Sequence, residues 1–250
     1  MPPLLLLSND DGIDAPGLAA LADALAPLAE LVVVAPERER SAVSHAITLH
    51  KPLRPTRVRD GWFALSGTPA DCVYAGVLRI APERPALVVS GINDGNNLGS
   101  DVFYSGTVAA AAEAALRDVP AIALSQAPGA NFAHSAQFAA ALVRAALAHP
   151  LPPKCLLNVN FPRDFDRAYR WTKLGARVYR DQVEEREDLR GRTYYWIGGP
   201  SVDVADEPNT DGATVREGLV SITPLRLDLT AHDLLDPPPA WPIDGYSARP

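Results

Sequence analysis

The sequence predicts an α/β protein with a Rossmann-like, mostly parallel sheet, flanking helices and a β-rich C-terminal extension. Short, uniformly apolar runs alternate with segments whose apolar residues recur at helical spacing, through about residue 162. The apolar runs end in polar loops, which is typical of buried parallel strands. Because strands and helices alternate, we expect parallel pairing with right-handed crossovers.

A βαβ unit is predicted at the start of the chain. Residues 4–7 are a short apolar run that stops at Ser-Asn-Asp-Asp-Gly. Residues 17–30 place leucines at helical spacing, and Pro27 is expected to end or bend this helix. Residues 31–36 then give a second buried strand, which leads into a charged loop.

The same alternation continues through the middle of the chain. The predicted elements are a strand at 85–91, an Ala-rich helix at 106–118, a strand at 120–125, a second Ala-rich helix at 131–149 and a strand at 155–162. With the first unit they form a predicted catalytic core over residues 1–165.

Residues 166–250 form a predicted β-rich extension. From about residue 169, extended segments with β-branched and aromatic residues are separated by Gly, Pro and charges, which indicates hairpins. Residues 181–192 are expected to be a solvated loop or hairpin tip, and residues 237–250 a loosely packed tail. Tyr194, Tyr195 and Trp196 suggest that a neighbouring subunit covers this part, in a homodimer or homotetramer.

Composition excludes several classes of protein. The chain has 250 residues and a formal net charge of -7, which argues against a protein that coats a nucleic-acid duplex. Apolar stretches are too short for a membrane-spanning helix. Cys72 and Cys155 lie in apolar runs, as free thiols do in a reducing compartment. We therefore expect a cytoplasmic protein without a membrane partner.

Two adjacent carboxylates follow the first strand. In a parallel sheet, ligands bind beyond the carboxyl ends of the strands. Asp10 and Asp11 would repel each other there unless a cation intervenes, and Mg²⁺ or Mn²⁺ prefers such oxygen ligands. The alternative is that they form a turn and cap the next helix with Gly12.

Two later loops offer groups for a metal or a phosphate. In SGINDGNN, Asn93 and Asn97 can ligate a cation through oxygen or donate to a phosphate, although a Gly/Asn-rich turn explains them as well. In YSGT, Ser105, Gly106 and Thr107 open a helix whose free amides and dipole favour an anion. An ordinary Ser/Thr helix cap is the alternative.

The loop after the second strand adds further candidates. Ser41 and His45 lie near Arg38 and Arg40, so the segment offers a metal-ligating hydroxyl, a phosphate contact or a proton donor. A solvated surface loop is the alternative. His45 is the best candidate in the sequence for a general acid.

Five segments in order, SNDDGIDAPGL, APERERSAVSH, SGTPADCV, VVSGINDGNNLGSD and YSGTVAAAAEAAL, resemble the SurE family of stationary-phase survival proteins. The resemblance resumes at GRTYYWIGGP and VSITPLRLDLTAH. It implies a nucleotidase, dependent on one divalent metal ion per subunit, that acts on nucleoside 5'- and 3'-monophosphates and, as in some members of the family, on short polyphosphate. Two departures are Asn96 in place of a frequent proline and NTDGATV, which lacks an expected aromatic after its aspartate.

The resemblance also implies roles for particular residues. The metal ligands would be Asp10, Asp11, Ser41 and Asn93. The phosphate site would be lined by Asn9, Asn97, Ser105, Gly106 and Thr107. Asp10, Asp11, Asn97 and His45 are the predicted catalytic residues. The alternative function is a nucleotide-binding regulatory module without turnover, which would need the anion site but not the paired carboxylates.

Overall fold

A computed structural model describes residues 2–166, 168–178, 182–198, 203–204 and 207–235. Within these residues the strands are β1 Leu4–Ser8, β2 Glu30–Pro36, β3 Pro55–Arg59, β4 Trp62–Leu65, β5 Leu87–Asp94, β6 Ala121–Gln126, β7 Cys155–Phe161, β8 Tyr169–Trp171, β9 Arg177–Val178, β10 Gln182–Glu187, β11 Thr193–Gly198, β12 Asp203–Val204 and β13 Val220–Arg226. The helices are α1 Pro16–Leu25, α2 Pro69–Ala75, α3 Gly106–Leu116, α4 Phe132–Ala148 and α5 Asp211–Arg216. A π-helical turn, Gly76–Ile80, and two 3₁₀ turns, Gly99–Phe103 and His232–Leu234, complete the described elements.

Nine strands form one sheet in the order β3-β4-β2-β1-β5-β6-β7-β13-β8. The central strands from β4 to β7 pair in parallel, whereas β3 and β13 run antiparallel to their neighbours β4 and β7. The chain moves outward from β1 to β2 and then crosses back to β5 on the other side. This change of direction between β1 and β5 is the switch point at which open α/β sheets bind ligands.

Two hydrophobic layers cover the two faces of the sheet. Successive side chains of a strand point to opposite faces, and β1 follows this rule with four leucines. Leu5 and Leu7 pack into the layer that contains α1 and α4. Leu4 and Leu6 pack into the layer that contains α2 and α3. A strand buried on both faces is therefore uniformly apolar, which explains the sequence pattern that identified it.

The predicted α/β class, the layered elements and the β-rich second half are confirmed. Helix α1 ends at Leu25, two residues before Pro27, as expected. The prediction that β5 ends at residue 91 is wrong, because the strand continues to Asp94. Gly91 lies against the carbonyl oxygen of Leu124, where a Cβ would be only 2.4 Å away, and β5 pairs with β6 again at Asn93 after a shift of register.

The second half extends the main sheet as well as forming hairpins. β13 pairs with β7 and β8, so residues beyond 165 complete the sheet of the core. β10 and β11 form the expected hairpin, but the prediction of a loop or tip over 181–192 is wrong for residues 182–187, which pair with β11 as a strand. The tail at 237–250 lies outside the described residues. The division at residue 165 stays a prediction. Within the described part of the chain, no helix has the length and apolar character needed to cross a membrane.

Candidate metal and phosphate site

A polar pocket of about 400 Å³ lies at the carboxyl ends of β1 and β5. Its lining comes from the loop after β1, the loop after β2, the end of β5 and the segment before α3. The lining residues are Asp10, Asp11, Glu39, Ser41, Ala42, Asn93, Asp94, Asn97, Asp101, Tyr104 and Ser105. The four predicted metal ligands and two of the predicted phosphate-site residues therefore meet in one cavity.

Asp10 is fixed in this pocket by its neighbours. The hydroxyl of Thr107 donates a hydrogen bond to Asp10 Oδ1, and the backbone N–H of Arg40 donates to the Asp10 carbonyl at 2.7 Å. Gly106 permits this approach, since a Cβ there would lie 2.8 Å from the Asp10 Cβ and 2.9 Å from its Oδ2. The start of α3 is thus packed directly against the carboxylate.

Burial and charge both act on the carboxylate pair. Burial raises the pKa of Asp10, and the hydrogen bond from Thr107 acts in the opposite direction. Burial, followed by the negative charge of Asp10, raises the pKa of Asp11 to about 6. The charges of Glu39 and Asp94 add to the shift at Asp11. A divalent cation between these groups would relieve the repulsion.

Ser41 and Asn93 offer the remaining oxygen atoms. The Ser41 hydroxyl donates to Glu39 Oε1 at 2.7 Å, and the Asn93 amide nitrogen donates to the Gly95 carbonyl at 2.7 Å. The amide nitrogen of Asn93 is therefore used inside its loop, and its oxygen is the atom suited to a cation. Two carboxylates, one hydroxyl and one amide oxygen are hard ligands that fit Mg²⁺ or Mn²⁺.

Amide and hydroxyl oxygens would complete the ligand set of the proposed cation site. Across the described ranges, no three His, Cys, Asp or Glu side chains are grouped as metal ligands would be. Asp10 and Asp11 alone would leave most positions of an octahedral ion to water. Ser41 and Asn93 are thus the protein ligands that would distinguish this cavity from an ordinary acidic surface.

One wall of the pocket, at the start of α3, suits an anion. Ser105 caps α3, and its hydroxyl accepts a hydrogen bond from the Val108 N–H at 3.1 Å, which leaves the hydroxyl proton to donate. The helix N-terminus adds a positive dipole end. Asn97 lines the same wall and is held by its side-chain nitrogen, which donates to Ser125 Oγ at 2.7 Å.

Comparison with known proteins identifies the family of the chain. A family model described as "Survival protein SurE" matches residues 5–181. A Myxococcus xanthus protein named 5'-nucleotidase SurE is 51% identical over 98% of this chain and 96% of its own. A Geobacter metallireducens protein of the same name is 48% identical over 95% of this chain and 96% of its own.

The chain belongs to the SurE family. The crystal structure of the SurE protein from Aquifex aeolicus superimposes with a TM-score of 0.83 at 37% sequence identity. The match covers 94% of this chain and 98% of the Aquifex chain. The SurE fold therefore includes the second half of the chain as well as the core.

Two residues predicted for the site, Asn9 and His45, form side-chain hydrogen bonds outside the polar pocket. Asn9 is fully buried, and its amide group both donates to the Gly12 carbonyl at 2.8 Å and accepts from the Gly12 N–H at 3.2 Å. Asn9 therefore shapes the loop that carries the carboxylates. His45 lines a neighbouring apolar cavity of about 360 Å³, where its Nε2 lies 2.7 Å from Glu113 Oε2. The polar pocket does not include His45 among its lining residues.

Gly106 and Thr107 are not among the lining residues of the pocket and affect it through their contacts with Asp10. Gly106 allows the close contact with Asp10, and the Thr107 hydroxyl is used by Asp10. The predicted phosphate contact by Thr107 can therefore involve only its backbone. The phosphate-site roles of Asn9, Gly106 and Thr107 stay predictions.

Sequence reasoning missed three acidic residues and the groups that hold Asn97. Glu39, Asp94 and Asp101 line the pocket. Glu39 and Asp94 belong to loops already considered, and Asp101 lies in the 3₁₀ turn Gly99–Phe103. Asn158 and Asn160 both donate to the Asn97 carbonyl, at 2.8 and 3.0 Å. Two asparagines alternating inside the apolar strand Cys-Leu-Leu-Asn-Val-Asn-Phe were the signal that could have found them.

Proposed function

We propose that this chain is a divalent-metal-dependent 5'-nucleotidase that hydrolyses nucleoside 5'-monophosphates to nucleoside and phosphate. The observation that carries the proposal is a paired-carboxylate site that shares a single pocket with the capped N-terminus of α3. Relatives named 5'-nucleotidase SurE, at 51% identity over nearly the whole chain, support the reaction and the substrate class.

Asp10, Asp11, Ser41 and Asn93 would hold the cation. When bound, the cation supplies positive charge to phosphoryl oxygens and increases the acidity of coordinated water. Thr107 and the Arg40 N–H keep Asp10 in place, so the carboxylates do not need to reorganise when substrate arrives.

Ser105, Asn97 and the first turn of α3 would receive the phosphoryl group. The Ser105 hydroxyl proton and the positive end of the helix dipole favour oxygen atoms that gain negative charge during reaction. Asn97 is held by Ser125 and by two asparagines of β7, and this rigid support is suited to transition-state contacts. The pocket thus contains both the proposed cation ligands and the proposed anion donors.

Attack by water is favoured over attack by a carboxylate. Water would form the new P–O bond, the P–O bond to the nucleoside would break, and the nucleoside oxygen would take a proton. Oδ1 of Asp10 already accepts a hydrogen bond from Thr107, which disfavours Asp10 as a nucleophile. Hydrolysis of a substrate with a chirally labelled phosphate tests this, since direct attack by water inverts the configuration at phosphorus and an aspartyl-phosphate intermediate would retain it.

Hydrolysis of 3'-monophosphates and short polyphosphate, assembly as a homodimer or homotetramer and a cytoplasmic location belong to the same proposal. The exposed β10–β11 hairpin supports assembly, because it presents Tyr195, Trp196 and Ile197 to solvent. The buried free thiols of Cys72 and Cys155 fit a reducing compartment.

The first test is phosphate release from AMP, GMP, 3'-AMP and a short polyphosphate, with EDTA and with added Mg²⁺ or Mn²⁺. We expect release from the 5'-monophosphates that EDTA abolishes and metal restores. If the folded protein instead binds AMP without turnover, and Asp10→Ala leaves that affinity intact, the regulatory-module alternative is correct.

A further inference from the structure

The NTDGATV segment contains a buried carboxylate that the site described above does not use. Asp211 begins α5 and has an exposed fraction of 0%. Its Oδ2 accepts a hydrogen bond from the Gly99 N–H at 2.7 Å. Its Oδ1 accepts from the Gly175 N–H at 2.8 Å and from the Gly212 N–H at 2.8 Å. Burial of a carboxylate is unfavourable unless hydrogen-bond donors satisfy it. Asp211 is therefore expected to hold the three N–H groups that donate to it in fixed positions.

The Gly99 N–H lies between two residues of the polar pocket. Asn97 lies two positions before Gly99 and Asp101 two positions after it, and both line the pocket. Gly99 itself has a φ of 53°, a backbone conformation that a glycine adopts without strain. A hydrogen bond at this position therefore holds the middle of a tight turn between two pocket residues.

The turn at Gly99 is connected by hydrogen bonds to Ser105, a proposed phosphate-binding residue. The Asp101 carbonyl accepts hydrogen bonds from the N–H groups of Tyr104 and Ser105, at 2.9 and 3.0 Å. Ser105 is the cap of α3. A displacement of the turn at Gly99 would therefore move Asp101 and, through this hydrogen bond, Ser105.

The other end of the turn is held independently. Asn160 accepts a hydrogen bond from the Asn97 N–H at 2.8 Å, and Asn158 and Asn160 donate to the Asn97 carbonyl. β7 thus anchors the turn at Asn97, and α5 anchors it at Gly99. Two anchors on different elements define both the place and the orientation of the segment.

We propose that Asp211 is a positioning residue for phosphoryl transfer, which acts by clamping the turn at Gly99 so that Asn97 and Asp101 are presented to the pocket. The inference rests on the proposed nucleotidase function. Asp211 contacts none of the four proposed metal ligands through the hydrogen bonds described. Its effect is thus expected on catalysis rather than on cation affinity.

The charge of Asp211 also reaches the pocket. Burial, followed by the negative charge of Asp211, raises the pKa of Asp101 to about 6. A neutral side chain at position 211 would remove that influence as well as one acceptor oxygen. The same carboxylate therefore links α5 to the pocket by geometry and by charge.

A merely structural role is the competing explanation, because Asp211 also holds Gly175. Asp211→Asn keeps the shape but replaces one acceptor oxygen with an amide that faces an N–H group. Thr214→Val is the matched control. Thr214 is fully buried on the same helix, and its hydroxyl accepts only a long bond of 3.4 Å from Arg170 Nη1, away from Gly99. Both variants should lower the melting temperature.

The test compares kcat and KM for AMP, Mn²⁺ affinity by calorimetry and amide hydrogen exchange of residues 97–101 in the two variants. For Asp211→Asn we expect kcat to fall at least about tenfold, since small misplacements of catalytic groups have effects of this size or larger. KM and the Mn²⁺ dissociation constant should stay within about threefold of wild type, because only transition-state contacts are lost. Amide hydrogen exchange of residues 97–101 should be faster than in wild type for Asp211→Asn but not for Thr214→Val.

The proposal would be overturned if Asp211→Asn and Thr214→Val had the same kcat and the same melting temperature. It would also be overturned if amide hydrogen exchange of residues 97–101 in Asp211→Asn were the same as in wild type. If Asp211→Asn does not fold, Asp211→Glu retains an acceptor carboxylate shifted by one methylene, and the same loss of kcat is expected. A wild-type protein without phosphatase activity would refute the proposed function. In that case the exchange comparison would still decide whether Asp211 clamps the turn.

Discussion

Asp10 shows how the residues around one carboxylate prepare it for a cation. Its side chain is buried, which disfavours the charged form, and burial raises its pKa. The Thr107 hydroxyl acts against that shift, and Gly106 lets the helix approach closely enough for the hydrogen bond to form. Thr107 would thus orient a proposed metal ligand, and such partners tune metal affinity.

Thr107→Val should weaken cation binding. The change removes the hydroxyl that donates to Asp10 while keeping a β-branched side chain in a fully buried position. We expect the Mn²⁺ dissociation constant to rise about tenfold or more, as for other residues that orient metal ligands. Calorimetry measures this directly. Thr107→Ser keeps the hydroxyl and should bind Mn²⁺ nearly as well as wild type.

Cation affinity should also depend on pH through Asp11. Burial and the charge of Asp10 raise the pKa of Asp11 to about 6, and a cation needs the deprotonated carboxylate. Affinity should therefore be nearly constant above pH 7 and fall, by up to about tenfold per pH unit, once the pH is below 6. Calorimetric titrations with Mn²⁺ between pH 5 and 8 test the direction. Affinity that rises on acidification would contradict it.

At the level of elements, the site depends on how the start of α3 packs against the end of β1. Helix α3 is buried along most of its length and lies on the sheet face that also carries α2. Its N-terminus reaches the pocket because Gly106 adds no side chain at the contact with Asp10 and Pro69. The geometry of the pocket is therefore a property of helix–strand packing.

Gly106→Ala should move the start of α3 away from the carboxylate. A Cβ at position 106 would meet the Asp10 Cβ at 2.8 Å and the Pro69 Cγ at 3.1 Å. We expect stability to fall by about 1–3 kcal/mol, as for other overpacked contacts, together with a large loss of phosphatase activity. Denaturant unfolding and phosphate release measure the two effects.

Leu116→Ala is the control for this change. Leu116 is exposed at the far end of α3, so its truncation should change stability by less than about 0.5 kcal/mol and leave activity intact. Full activity in Gly106→Ala would show that the close contact with Asp10 is not required.

The local sequence pattern was sufficient to predict the strands that are buried on both faces of the sheet. β1, β2, β6 and β7 are built mainly from apolar residues, and their positions follow from the sequence to within about two residues. The β3–β4 hairpin was not predicted, since β3 is exposed throughout and lacks an apolar pattern. Helix α5 has only six residues, and its first residue, Asp211, is held by a distant contact with Gly99.

The site was predictable only in part for a similar reason. Its loops follow from strand ends, and its proposed ligands came from the order of the SurE-like motifs. Contacts between residues far apart in sequence left no local pattern: His45 meets Glu113 across 68 positions, and Asn97 meets Asn160 across 63. His45 was therefore predicted as an acid of the pocket on loop position alone.

For the whole molecule, the hairpin β10–β11 is the feature that points beyond one chain. Trp196 and Ile197 are 58% and 90% exposed, and a monomer would leave them in water. We expect light scattering to give the mass of a dimer or a tetramer. Trp196→Glu combined with Ile197→Glu should reduce that mass, whereas a monomeric wild type would contradict the proposed assembly.

The central claim is that one pocket holds the cation and performs the reaction. The most direct measurement titrates metal-free protein with Mn²⁺ and follows occupancy, by electron paramagnetic resonance, and phosphate release from AMP in the same samples, for wild type and Asp10→Asn. We predict that release rises in proportion to occupancy of one site per chain and that Asp10→Asn loses both. Release that persists without bound Mn²⁺, or an Asp10→Asn variant that binds and hydrolyses normally, would contradict the claim.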